Sequence, residues 1–147
     1  MLQKKYLLGG VAVFAAMLFS AQVFAQVEKR QDLMKGQSAA SKAIKGAVEA
    51  KDFAIIEAKA KDLMGSSEKI VAAFPKGSDQ GKTKATAAIW DKSDDFGKAA
   101  KNLNKAAGEL AAAAKAKDEA AVTAKVKGVS NACGGCHKAF RAEKYAE

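Results

Sequence analysis

Cys133, Cys136 and His137 are the only two cysteines and the only histidine among 147 residues, and they stand together as Cys133-Gly134-Gly135-Cys136-His137. A C-x-x-C-H run carries a specific chemistry: each thiol adds to a vinyl group of a c-type haem, and the adjacent imidazole ligates the iron. On a helix, Cys133 and His137 stand one turn apart, as do Cys136 and Phe140. Two thioethers, an iron ligand and an aromatic contact then share one face. Gly134 and Gly135 leave little bulk where a macrocycle approaches the backbone, at a cost in helix propensity. A structural disulfide and a thioredoxin-like redox pair are the competing uses of C-x-x-C. Neither employs His137, and a redox pair belongs near the start of a βαβ unit. Two cysteines and one histidine also fall short of the four ligands of a structural zinc site.

An iron held by His137 has a second axial position, and what occupies it sets the function. A strong sixth ligand favours electron transfer, whereas an open site admits diatomic gases. With no second histidine, the protein ligands to consider after residue 25 are Met34, Met64 and a lysine. A methionine on an apolar helix face serves equally as core filler. No nucleophile–base pair or substrate site can be named, so an enzyme is not expected.

The elements that must position these residues are helical. The chain is 49% hydrophobic but only 7% aromatic, with alanine filling much of the apolar share, and it has a single proline. Alanine is the best helix former and a poor strand residue, so packed helices are favoured over sheets, and the length suits one domain. From Val27 to Val48, Leu33, Ala40, Ile44 and Val48 recur at helical spacing. Asp52 offers an N-cap to a second helix with a seam of Phe53, Ile56, Ala60, Leu63, Ser67, Ile70 and Phe74, ending at Pro75 and loosened at Gly65-Ser66-Ser67. Residues 76–86 carry no large apolar side chain and read as a long loop. Asp91 or Ser93 can cap a third helix with the seam Phe96, Ala100, Leu103, Ala107, Leu110 and Ala114. Asp118 can cap a fourth, on which Val122, Val126, Val129, Cys133, Cys136 and Phe140 keep the same rhythm. Short connections at 50–52 and 115–118 force antiparallel neighbours. The expected fold is therefore an all-α, up-down-up-down four-helix bundle.

Residues 1–25 have the makeup of an export signal: Lys4 and Lys5, an apolar stretch from Tyr6 to Phe19, and small residues at Ala21 and Ala25. Cleavage after Ala25 leaves residues 26–147 as a periplasmic domain without a membrane anchor. Losing Lys4 and Lys5 takes the formal charge from +9 to +7. The remaining lysines are spread through all four helices, which describes a generally basic surface. For an exported protein, acidic redox partners suit that surface and nucleic acid does not.

A C-x-x-C-H near the carboxyl end of a helical chain of this size resembles the class II c-type cytochromes, the cytochrome c′ family. Arg30-Gln31-x-x-Met34-Lys35, Ile89-Trp90 followed by Phe96, and Phe140-Arg141 also resemble that family's pattern. The resemblance implies one covalent haem c between the first and last helices, with Arg30 and Gln31 approaching a haem propionate. It places Met34 at the distal position, where the family has either a sixth ligand in its low-spin branch or an apolar blocker in its high-spin members. The Arg-Gln-x-x-Met-Lys arrangement looks more like the Met-ligated branch. Ser78 and Asp79 fall in a loop that approaches the haem edge in the family, and Arg141 falls where a basic residue often neighbours the proximal imidazole. The implied function is electron transfer with redox partner proteins. Binding of nitric oxide or carbon monoxide at an open site is the alternative, and pairing of two copies through the first two helices is a family habit.

Overall fold

The computed structural model describes the backbone of residues 4–143 and the side chains of residues 25–143. Most of the leader expected at residues 1–25 lies outside the described side chains. Five α-helices follow in order: α1 (Lys4–Glu49), α2 (Phe53–Ser67), α3 (Ala88–Asp91), α4 (Ser93–Lys115) and α5 (Glu119–Phe140). A 3-10 turn at Val71–Ala73 follows α2. The four long helices form the expected bundle, α1 packing on α2, α2 on α4 and α4 on α5, while α1 and α5 meet only lightly. Among the described residues, no helix is long and apolar enough to cross a membrane.

The seams read from the sequence form the core. Ala40 and Ile44 of α1, Ile56, Ala60 and Leu63 of α2, Leu103, Ala107 and Leu110 of α4, and Val122 and Val129 of α5 are all buried in one cluster. Alternating alanine with larger aliphatics lets helices approach closely while Ile and Leu fill the remaining space. Both tight connections use the same three residues, Ala50-Lys51-Asp52 and Ala116-Lys117-Asp118. In each the lysine takes the left-handed conformation, with φ 55° at both positions. The aspartate carboxylate then accepts a backbone N–H of the next helix, Asp52 from Ile55 at 3.0 Å and Asp118 from Ala121 at 2.9 Å.

Three boundaries differ from expectation. The helix expected at Val27–Val48 is the second part of a longer α1. The second seam reaches Phe74, but α2 itself stops at Ser67. The Ser66 and Ser67 hydroxyls donate back to the carbonyls of Leu63 and Met64 at 3.0 and 2.6 Å, which is how such residues unwind a helix end. Asp91 does not cap the third long helix, because the extra turn α3 already contains it. Ser93 is itself the first residue of α4, and no side chain caps that helix.

Candidate functional site

A cavity of about 460 Å³ opens where α1 and α5 fail to close on each other, near the C-terminal end of α5. α5 stays helical through Gly134-Gly135 and delivers Cys133, Cys136 and His137 to one wall. α1 delivers Arg30, Gln31, Met34 and Lys35 to the facing wall. Phe96, Ala99 and Leu103 of α4 close the back. Phe74, Phe96 and Phe140, all on the cavity wall, meet edge to face, with ring centroids 5.1 and 5.2 Å apart along the series. Such contacts fix the three rings relative to one another. Met64 is not on the wall; it packs between α2 and α4 against Gly108.

Both cysteines are free and half-buried, and loss of hydration raises both thiol pKa values, Cys133 adding to the rise at Cys136. A redox-active pair needs the opposite, a thiolate stabilised below its ordinary pKa. Partial desolvation, and then the Arg141 cation, lower the pKa of His137, which favours the neutral imidazole whose nitrogen lone pair a metal needs.

Arg30 is 3% exposed, and its hydrogen-bond partners are uncharged. Nη1 donates to Ser78 Oγ at 3.0 Å and Nη2 to Thr83 Oγ1 at 2.8 Å. The guanidinium carbon sits 5.0 Å from the centroid of the Phe74 ring. Desolvation lowers its pKa, opposed in part by the charge of Asp79. A cation so placed has spare N–H donors and invites an anion from the cavity side. Gln31 Nε2 donates to the carbonyl of Lys82 at 3.1 Å. Ser78 is buried as a holder of Arg30, while Asp79 is exposed, and neither lines the cavity.

These residues suit a haem. One wall offers two thiols and an imidazole, the rest is largely apolar, and a buried cation stands where a carboxylate side arm would be held. A Cβ on Gly134 or Gly135 would meet nothing within 4 Å, so the helix surface between the thiols is open.

Sequence reasoning missed Thr83 and the donor role of Trp90. Thr83 lies in a polar loop, and its partner Arg30 is 53 residues away, so no local pattern marks it. The Trp90 indole donates Nε1–H to the carbonyls of Phe74 and Pro75 at 3.1 and 3.0 Å, pinning the ring under Arg30.

Residues 25–141 match the family model described as Cytochrome C′. The chain is 38% identical over 128 residues to cytochrome c′ of Rhodospirillum rubrum, covering 84% of this chain and 86% of that one. Among solved structures, it is similar to a cytochrome c′ with an unusual ligand-controlled dimer dissociation, with TM-score 0.75, 27% identity, and 81% and 95% of the two chains covered. It is also similar to the nitric oxide complex of a mutant cytochrome c prime from Alcaligenes xylosoxidans, with TM-score 0.74, 26% identity and coverage of 83% and 97%. With a helical bundle around a C-x-x-C-H wall and relatives matched over most of their length, the chain belongs to the cytochrome c′ family of class II c-type cytochromes, and its cofactor is one covalently bound haem c.

Proposed function

We propose that the protein is a periplasmic electron carrier in which His137 and Met34 are the two axial ligands of the haem iron. One observation carries the reading: His137 on α5 and Met34 on α1 line the same cavity from facing helices. When bound, the haem supplies a one-electron couple whose potential follows its axial ligands and surroundings. The chain's own residues do the rest. Cys133 and Cys136 hold the group through two thioethers. His137 presents an imidazole nitrogen from the same helix. Arg30 and Gln31 meet a propionate, with Ser78 and Asp79 acting through Arg30, one by hydrogen bond and the other by charge. Arg141, exposed one turn beyond His137, adds a positive charge that favours the reduced state. Cleavage after Ala25 delivers the domain to the periplasm, where its basic surface steers it to acidic redox partners.

A second reading has one observation in its favour, the nitric oxide complex of the Alcaligenes xylosoxidans relative. In it Met34 is an apolar blocker over an open iron, and the protein binds nitric oxide or carbon monoxide. Absorption spectra of the haem-loaded protein, oxidised, reduced and reduced under carbon monoxide, decide between the two. A low-spin spectrum with a Met-to-iron charge-transfer band, lost in Met34→Ala together with a gain of carbon monoxide binding, is the expected result. A high-spin spectrum that Met34→Ala leaves unchanged establishes the open site instead.

A further inference from the structure

α1 and α5 carry the facing walls of the cavity yet barely pack on each other. Between the other neighbours, side-chain packing sets the interhelical distance. Between α1 and α5 the cavity removes that packing, and residues 82–86 hydrogen-bond to both sides instead. Toward α1, the Lys82 carbonyl accepts from Gln31 Nε2 at 3.1 Å and Thr83 Oγ1 accepts from Arg30 Nη2 at 2.8 Å. Toward α5, Ala85 forms an antiparallel bridge with Arg141. The Thr86 N–H donates to the Phe140 carbonyl at 3.1 Å, and the Ala142 N–H donates to the Lys84 carbonyl at 2.8 Å. Thr83 Oγ1 also accepts the Ala85 N–H at 3.0 Å, so one hydroxyl joins the two ends. The anchored residues bracket the site: Arg30 stands one turn before Met34, and Phe140 about one turn after His137.

We propose that residues 82–86 are a tie that fixes the spacing of the two cavity walls, and that Thr83 and Ala142 are thereby positioning residues for the group opposite His137. The inference rests on the reading of His137 and Met34 as facing ligands. A loose supporting shell that shifts a site by about 1 Å is enough to degrade it, so an axial bond between separate helices needs such a tie.

The test uses the haem-loaded protein and cuts the tie at each end separately. Thr83→Val removes the hydroxyl that Arg30 and Ala85 share. Ala142→Pro removes the N–H that bonds Lys84, and Arg141 already has φ −122° and ψ 125°, the extended backbone a following proline requires. If proline prevents folding, a chain ending at Arg141 cuts the same end. Asp118→Ala, which removes the cap at the far end of α5, is the control for lost stability.

Both tie variants are expected to speed carbon monoxide binding to the reduced protein and hydrogen exchange at the Thr86 amide by about tenfold, the effect of losing roughly one net hydrogen bond. Asp118→Ala changes neither. Faster exchange at Thr86 with an unchanged carbon monoxide rate overturns the proposal, as does an effect confined to Thr83→Val, which belongs to Arg30 alone. Failure of the axial reading is seen separately: Met34→Ala then leaves the spectrum unchanged, while the comparison of carbon monoxide rates still decides the tie, because α1 remains the distal wall.

Discussion

Arg30 and Thr86 place buried polar groups in opposite situations, one held by partners and the other without any among the described residues. Arg30 is a buried guanidinium held by two hydroxyls and an aromatic face, which position it without neutralising it. A positive charge beside a haem stabilises the reduced iron more than the oxidised, so Arg30→Met is expected to lower the midpoint potential. An effect on the order of 1 kcal/mol corresponds to roughly 40 mV for one electron, and a redox titration reads it. A rise in potential would remove Arg30 from the haem's electrostatic surroundings. Thr86 presents the opposite case. Its backbone N–H bonds Phe140, but its hydroxyl is buried with no hydrogen-bond partner among the described residues. Burying an unpaired hydroxyl costs about 1 kcal/mol or more, so Thr86→Val is expected to stabilise the protein by about that amount in denaturant unfolding. A lower unfolding midpoint would mean that the hydroxyl is satisfied in the haem-loaded protein.

At the scale of elements, the two Ala-Lys-Asp turns determine the topology. In both, the lysine N–H and the aspartate N–H close back on the last turn of the preceding helix. Lys51 bonds Val48 at 3.1 Å and Asp52 bonds Ala47 at 2.8 Å, while Lys117 bonds Ala114 at 2.9 Å and Asp118 bonds Ala113 at 3.1 Å. This is a Schellman ending, with the aspartate immediately reused as the next N-cap. Lys117→Gly relieves a left-handed non-glycine residue and is expected to stabilise by about 1 kcal/mol, against about 1 kcal/mol lost in Asp118→Ala; chemical denaturation measures both. The two caps were legible because Asp before a periodic apolar run is a local signal. The helical stripes were legible for the same reason, and so was the wall of Cys133, Cys136 and His137. The end of α2 and the extra turn α3 were not. Ser67 and Ile70 keep the seam's rhythm whether or not the backbone between them is α-helical, and Ala87-Ala88-Ile89-Trp90 is too short to show a period. The hold on Arg30 depends on Thr83 and Ser78, whose distance in sequence hides them from any pattern of spacing.

For the whole molecule, the bundle divides into a packed half and a half that waits for its cofactor. α2 and α4 meet through Ile56, Ala60, Leu63, Ala107 and Leu110, each 0% exposed. Asn104 adds a polar lock between them, donating to the Met64 carbonyl at 3.1 Å and to Ser67 Oγ at 3.0 Å. α1 and α5 instead flank the cavity, and without haem the facing side chains lose contact partners on one side while the charge of Arg30 is offset only in part, by Asp79. The double variant Cys133→Ser/Cys136→Ser, which cannot form thioethers, is therefore expected to keep most of its helical circular dichroism while losing cooperativity in thermal unfolding. Hydrogen exchange resolves where the loss falls. Amides of α5 from Cys133 to Phe140 and of α1 around Met34 should exchange fast, because their opening exposes little packed surface, whereas those of Leu63 and Leu110 should stay protected to nearly the global stability. Equal protection across all four long helices would mean that the tie at residues 82–86 and the shared core suffice to hold the cavity open, and that haem fills a preformed site instead of completing the fold.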